Sequence, residues 1–430
     1  MTITFVGHGY VGLVTAAIFA DLGNTVHVIG HTPEKIENLK RGVIPIFEPG
    51  LSEIVKRNVD AGRLLFTLDY IPAIKESKAV FIAVGTPPRP TGEADLSVVF
   101  DVAEKIGKHI DGYTVVATKS TVPIGTNKKV KEIIEKVLPT GAEFDVASCP
   151  EFLREGTAIE DTLHPDRIII GTESKRAEDV MLELHKPFDT EIVTTNLETA
   201  ELIKYASNSF LATKISFANS IAKLAEVSGA DAIKALYGVG LDERIGKRFL
   251  QPGAGYGGSC FPKDVKALIA IAKEYGYEFE LLKEVERINK VAREDIVKKA
   301  EKILGGNAKG KTVGVLGLAF KPDTDDMRDA PSIDVINSLN EKGAHIKAYD
   351  PEAQENAKGI IHGIEFMQDA YDTVKDTDLV ILMTEWNEFK EMDLDKVKTL
   401  VKSPAILDSR NVFEPQHMHD LGFTYMGVGR

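Results

Sequence analysis

The chain is short of cysteine, of positive charge and of long apolar runs, and each shortage removes a class of protein. Two cysteines in 430 residues, Cys149 and Cys260, cannot make a disulfide framework and fit a reducing compartment. A single bridge between them is the one oxidised alternative. A formal charge of −13 works against nonspecific binding to nucleic acid or to an anionic membrane. It leaves room for a local basic pocket around a phosphorylated ligand. No apolar run reaches the roughly 18 residues of a membrane span. The N-terminus enters a strand directly, without a basic region or signal-peptide core, so a soluble cytoplasmic protein is expected. The ten histidines show no H-x-x-x-H spacing with nearby cysteines, so no metal is expected. With 43% hydrophobic and 27% charged residues the chain is globular, and its length predicts about two or three domains.

What is present begins at the first residues. Residues 2–7 form an apolar run suited to a buried parallel strand, followed by Gly7-His8-Gly9-Tyr10-Val11-Gly12. Residues 11–22 have the pattern of a helix stopping at Gly23-Asn24, and residues 25–29 that of the next strand. A G-x-G-x-x-G run is weak evidence alone, but inside a β-α-β unit it has the context of a dinucleotide site. Its glycines let the backbone approach a pyrophosphate held at a helix N-terminus. One piece is missing. The second strand should end in an acidic residue for the adenosine ribose, yet here it runs Val28-Ile29-Gly30-His31-Thr32, with no carboxylate before Glu34. Repulsion of a 2′-phosphate is thereby relaxed, and His31, Thr32 and Lys35 are placed to contact one, so NADP stays open beside NAD.

Further strands are predicted at 78–84, 114–119 and 144–148, the first ending in the turn Gly85-Thr86-Pro87-Pro88. Residues 199–228 turn helical, with Ala200, Ile203, Lys204, Ala206, Ser207, Phe210, Leu211, Ile215 and Ala218 at helix spacing. That apolar stripe is either a dimer interface or ordinary core. A second α/β block starts at Lys311, with strands expected at Thr312–Leu316, His345–Tyr349, 378–383 and Ala405–Asp408. The expected fold is α/β: two Rossmann-like, doubly wound domains joined by a long central helix with a helical middle domain. The boundaries fall at 1–198, 199–300 and 301–430.

Between the blocks stands Gly257-Gly258-Ser259-Cys260-Phe261-Pro262-Lys263-Asp264. A thiol beside a lysine or at a helix N-terminus is favoured as thiolate, which makes Cys260 a candidate covalent nucleophile. Asp264 is a candidate base or water-positioning group; its bland alternative is a helix cap paired with Lys263 or Lys266. Lys204 and Asn208, four apart on one helix, share a face and can aim two donors at one oxygen, as an oxyanion hole does. The bland alternative for each is a helix-surface side chain. Cys149 ends a strand and is expected simply to pack. A dinucleotide site with a nucleophilic cysteine suggests an oxidation through a thioester.

Together these motifs resemble the UDP-glucose 6-dehydrogenase family, within the wider group of nucleotide-sugar 6-dehydrogenases. Besides the runs above, the resemblance rests on Pro45-Ile46-Phe47-Glu48-Pro49-Gly50-Leu51, Lys119-Ser120-Thr121-Val122-Pro123, Pro150-Glu151-Phe152-Leu153-Arg154-Glu155-Gly156 and His164-Pro165-Asp166-Arg167. Lys204-Tyr205-Ala206-Ser207-Asn208 and Phe320-Lys321-Pro322-Asp323-Thr324-Asp325-Asp326-Met327-Arg328 extend it nearly end to end.

The resemblance implies oxidation of a sugar C6 alcohol, that of UDP-glucose, to a carboxylate, consuming two NAD and one water, by a homodimer formed through the central helix. It implies catalytic roles for Cys260, Lys204, Asn208 and Asp264, with Glu151 and Thr121 assisting hydrolysis. The cofactor would meet Gly7, Gly9, Tyr10, Val11, Gly12, Gly30, Lys35, Gly85, Thr86, Thr121, Glu155, Lys263 and Arg328. The nucleotide-sugar would meet Glu151, Phe152, Leu153, Arg154, Glu155, Lys204, Asn208, Phe249, Leu250, Gln251, Pro252, Gly253, Gly257 and Lys321. Arg244 would reach a neighbour's substrate across the dimer. GDP-mannose or a UDP-N-acetylhexosamine are alternative sugars. A two-electron hydroxyacid dehydrogenase, which needs no cysteine, and a noncatalytic nucleotide-sugar binder are alternatives of other classes.

Overall fold

The computed structural model describes residues 1–430, which divide into two compact units: residues 1–207 with 266–277, and residues 208–265 with 278–430. In the first unit β1 (Thr2–Val6), β2 (Thr25–Ile29), β3 (Leu64–Thr67), β4 (Ala79–Ile82), β5 (Tyr113–Thr118), β6 (Glu143–Ser148), β7 (Ile168–Gly171) and β8 (Ile192–Thr195) form one sheet. Its order is β3-β2-β1-β4-β5-β6-β7-β8. Pairing is parallel throughout except between β6 and β7, which meet antiparallel at Ser148 and Gly171.

The strands are continuous apolar runs because both faces are covered. Successive side chains alternate between two cores: Ile3, Phe5, Val28 and Phe81 enter one, Val80, Ile82 and Val116 the other. Helix α1 (Tyr10–Asp21) is buried from Gly12 to Ala20, so its sequence is apolar on every side rather than amphipathic. It stops where Gly23 adopts φ +93° and its N–H returns to the Ala20 carbonyl. Strand order reverses direction between β1 and β4, and ligands of open α/β sheets bind beyond the strand ends at such a reversal.

The second unit repeats the plan. Strands β9 (Thr312–Leu316), β10 (His345–Tyr349), β11 (Glu365–Phe366), β12 (Leu379–Leu382), β13 (Ala405–Asp408) and β14 (Thr424–Met426) make a parallel sheet in the order β11-β10-β9-β12-β13-β14. Val313, Val315 and Ile381 face one core, Leu316, Val380 and Leu382 the other. The reversal lies between β9 and β12. Gly317 fills it closely: a Cβ there would stand 2.4 Å from that of Thr384.

A helix of 32 residues, Leu197–Ser228, contributes its first turns to the first unit and the rest to the second. Its apolar stripe divides. Ala200 and Ala218 are buried, whereas Phe210 is 65% exposed, as are Phe217 (49%) and Leu224 (61%) at intervals of seven residues. The stripe is therefore core along one edge and open along another. No helix is long and apolar enough to cross a membrane.

Candidate active site

The first unit builds a cradle at the end of β1. Gly7 has φ +122°, and a Cβ on it would lie 2.3 Å from the Ala83 carbonyl oxygen. A Cβ on Gly12 would strike the Gly7 carbonyl oxygen at 2.2 Å. These two glycines pack the strand, the turn and α1 together. Gly9 differs: a Cβ there would meet nothing within 4 Å, and no side chain caps α1. Open space before an uncapped helix N-terminus fits the pyrophosphate of a dinucleotide. Gly85 is equally open, and the adjoining Thr86 is held by donating its hydroxyl to the Thr121 carbonyl at 3.0 Å. Tyr10 and Val11 open α1, and the Tyr10 hydroxyl donates to Glu48. The buried Glu48 carboxylate also accepts the N–H groups of Gly156 (2.6 Å) and Ala158 (2.7 Å). The motif at 45–51 thus anchors the loop that carries Glu151 to Glu155.

In that loop Glu151 is 7% exposed and meets the Lys204 ammonium at 3.0 Å. Its other oxygen accepts the Leu153 N–H at 2.8 Å. Phe152 lies under the Arg167 guanidinium, 3.7 Å from ring centroid to Cζ, with Lys204 Nζ at 5.1 Å. Burial lowers the basicity of Arg167. Arg154 forks onto Asp161 (2.9 and 2.6 Å), a pairing that raises its own pKa. Glu155 and Thr121 are half-buried.

The second unit holds the thiol. Cys260 is partly exposed and immediately precedes helix Phe261–Glu274; its carbonyl accepts the Asp264 N–H at 2.9 Å, which makes it the N-cap. The Ser259 hydroxyl lies 3.6 Å from Sγ. The approach loop fits tightly. A Cβ on Gly257 would lie 2.4 Å from the Asp329 carbonyl oxygen, and one on Gly258 (φ +84°) 2.8 Å from the Phe320 ring. Asp264 is 1% exposed, accepts from Asn208 Nδ2 at 2.6 Å and is ion-paired with Lys263. Lys204 and Asn208 are both buried, not surface side chains, and each is engaged by a carboxylate of its own.

Phe249 adopts φ +66° and packs its ring 6.0 Å from that of Phe261. Leu250, Pro252 and Gly253 are buried and Gln251 is exposed. Gly253 donates to Asn219 Oδ1 at 2.8 Å. Lys321 Nζ lies 5.6 Å from the Phe320 ring centroid. Arg328 forks onto Asp326, both bonds 2.8 Å. Arg244 is almost fully exposed and pairs with Asp242 at 2.6 Å. Lys35 is exposed on α2 (Pro33–Lys40). No group of three or more His, Cys, Asp or Glu side chains is arranged to hold a metal ion.

Several supporting residues escape sequence reasoning. Asn289 accepts the Tyr256 N–H at 2.7 Å and donates to its carbonyl at 3.1 Å, fixing the strand of chain before the thiol loop. Glu201 accepts the N–H groups of Gly125 (2.6 Å) and Asn127 (2.8 Å), and burial raises its pKa. Neither carries a local signal, since the partners are far away in sequence. Cys149 is buried as expected, but it does more than pack: Sγ lies 3.6 Å from Lys119 Nζ and 3.8 Å from His185 Nε2. Burial pushes this thiol up; Lys119 and then His185 outweigh it and bring the pKa down to about 7.

Fold and site together define a dehydrogenase of the dinucleotide-binding, doubly wound class, with a cysteine motif that falls in sequence after the strands of the first sheet and before those of the second. Three family models cover most of the chain: the NAD binding domain of the UDP-glucose/GDP-mannose dehydrogenase family over residues 1–189, its central domain over 198–291 and its UDP binding domain over 314–415. The chain belongs to the UDP-glucose/GDP-mannose dehydrogenase family. It is 50% identical over 429 residues to UDP-glucose 6-dehydrogenase TuaD of Bacillus subtilis, spanning 100% of this chain and 93% of that one. The UDP-glucose 6-dehydrogenase of Rhizobium meliloti is 46% identical over 436 residues, with 100% of both chains covered. A solved UDP-glucose dehydrogenase from Pyrobaculum islandicum superposes with a TM-score of 0.93 at 39% identity, covering 99% of this chain and 97% of that one.

Proposed function

We propose that this chain is a UDP-glucose 6-dehydrogenase that oxidises the sugar C6 alcohol to a carboxylate through a covalent intermediate on Cys260. The observation that carries the mechanism is Cys260 at the N-cap of helix Phe261–Glu274, with buried Asp264 one turn on. NAD, held at the β1–α1 cradle around Gly7, Gly9 and Gly12, would supply the hydride acceptor for the two oxidations.

The chain supplies the rest. A helix N-terminus favours negative charge on Sγ, so Cys260 attacks the C6 aldehyde as thiolate and forms a thiohemiacetal. Lys204 and Asn208 stabilise the oxyanion on C6, preorganised because each is already fixed by a carboxylate. Loss of the second hydride from C6 leaves a thioester. Water positioned by Asp264, Glu151 and Thr121 adds to it, the C–S bond breaks, and the sulfur leaves as thiolate while the acid is released. Capture on sulfur keeps a reactive aldehyde on the protein.

Phe249 to Gly253, Gly257 and Lys321 are assigned to the nucleotide-sugar, together with the 151–155 loop. Lys263, Glu155, Lys35 and Arg328 are assigned to the cofactor side. Lys263 and Arg328 would exchange their present partners, Asp264 and Asp326, for the ligand. The three-part division at 198 and 300 follows the same reading. The exposed row Phe210, Phe217 and Leu224 is assigned to a homodimer contact, with Arg244 reaching the neighbour's substrate. Two cysteines without a disulfide suit work in the cytoplasm.

The deciding experiment measures cofactor reduced per UDP-glucose consumed. Two per sugar, with no acid formed by Cys260→Ala, is expected. Cys260→Ser should accumulate a sugar ester visible by intact mass, because an alkoxide leaves less readily than a thiolate. One cofactor per sugar, or normal acid formation without the thiol, would reject the thioester route.

A further inference from the structure

The end of β2 departs from what a NAD-specific ribose pocket needs. Such a pocket places a carboxylate on the adenosine ribose, and that carboxylate also repels a 2′-phosphate. Gly30 stands at the position instead, and the structure leaves no room for a side chain there. A Cβ on Gly30 would lie 2.5 Å from Ile36 Cδ1, 2.8 Å from Ile36 Cγ1 and 3.1 Å from His8 Nδ1. Ile36 is buried, so the acidic ligand is excluded by packing as well as absent from the sequence.

What surrounds Gly30 is basic. The His8 and His31 rings lie 5.2 Å apart, centroid to centroid. His31 and Lys35 are exposed. The ion pair on α2 joins Lys40 to Glu37 and leaves Lys35 outside it. His8 is 7% exposed, and its Nδ1, the atom that faces Gly30, is buried without a hydrogen-bond partner. A buried polar nitrogen without a partner is costly, and a bound ligand would satisfy it. Burial, then His31 and then Lys35, lower the His8 pKa and so favour the neutral imidazole, one ring nitrogen of which carries a proton to donate.

We propose that His8, His31 and Lys35 around Gly30 bind the 2′-phosphate of NADP, so that this chain takes NADP beside NAD. Lys35 supplies charge, His31 a ring N–H, and His8 the inner donor. The inference rests on the β1–α1 cradle being the dinucleotide site.

The test is calorimetric titration of the full chain, without sugar, with NADPH and with NADH. NADPH is expected to bind within tenfold of NADH or more tightly, and His31→Ala to weaken NADPH at least fivefold more than NADH. Gly30→Asp combined with Ile36→Ala, which makes space for the carboxylate, should weaken NADPH at least tenfold relative to NADH. NADPH more than tenfold weaker than NADH in the unaltered chain, or a ratio that neither variant moves, would overturn the proposal and leave the cradle assignment standing. Binding of neither would overturn both.

Discussion

Cys149 shows how far a residue's neighbours decide its chemistry. With no exposed surface, the thiol would ordinarily be inert, yet Lys119 and His185 hold its pKa near 7. Its folded value lies below that of an unfolded thiol, about 8.5. The ionised form therefore adds stability that is complete above the unfolded value and is lost as pH falls through about 7. In a Cys260→Ala background, ultraviolet thiolate absorbance should titrate near neutrality, and stability to denaturant should rise between roughly pH 7 and 9. Lys119→Met should move the absorbance midpoint up by roughly one unit or more. A midpoint at the ordinary thiol value in the unaltered cluster would show that Lys119 does not act on Cys149. This cluster was illegible in the sequence, where Cys149 was one apolar strand end among many. Cys260 was legible because its glycines, lysine and aspartate are adjacent, although no periodicity announces that Asp264 takes Asn208 as a partner.

At the scale of the element, the glycines after β1 do two different jobs. Gly12→Ala should cost stability, about 1–3 kcal/mol as overpacking usually does, because its Cβ would meet a carbonyl oxygen at 2.2 Å. Gly9→Ala should leave the melting temperature nearly unchanged while weakening dinucleotide binding at least tenfold, since its Cβ enters open space and Gly9 is in an extended conformation any residue adopts. Equal loss of stability in both would contradict this division. Eight strands, expected at Thr25–Ile29, 114–119, 144–148, Thr312–Leu316, His345–Tyr349, 378–383, Ala405–Asp408 and near residues 2–6, were readable to within a residue, because each is a run bounded by a turn or a charge. Strands β3, β7, β8, β11 and β14 were not read: at two to four residues each offers little pattern of its own.

For the whole molecule, the open row on the central helix is the test of assembly. Phe210, Phe217 and Leu224 lie at heptad spacing and remain exposed on the single chain. Light scattering should give twice the chain mass, and Phe217→Glu with Leu224→Glu should give a monomer whose circular dichroism is unchanged. A native chain that scatters as a monomer at micromolar concentration would remove the dimer from the reading. The sequence pointed to this helix but left core and interface equally open, because both ask for apolar residues at the same spacing.

The interleaving of the two units bears on synthesis. The first unit needs residues 266–277, which leave the ribosome only after the stretch 208–265 that belongs to the second. Helix Phe261–Glu274 is itself divided, its opening turn with the thiol in one unit and its later turns in the other. The nascent chain therefore cannot complete the dinucleotide-binding half when its last sheet strand emerges. That half closes only once the nucleophile has been translated, so a ribosome that stops short of Cys260 releases neither a finished domain nor a partial enzyme.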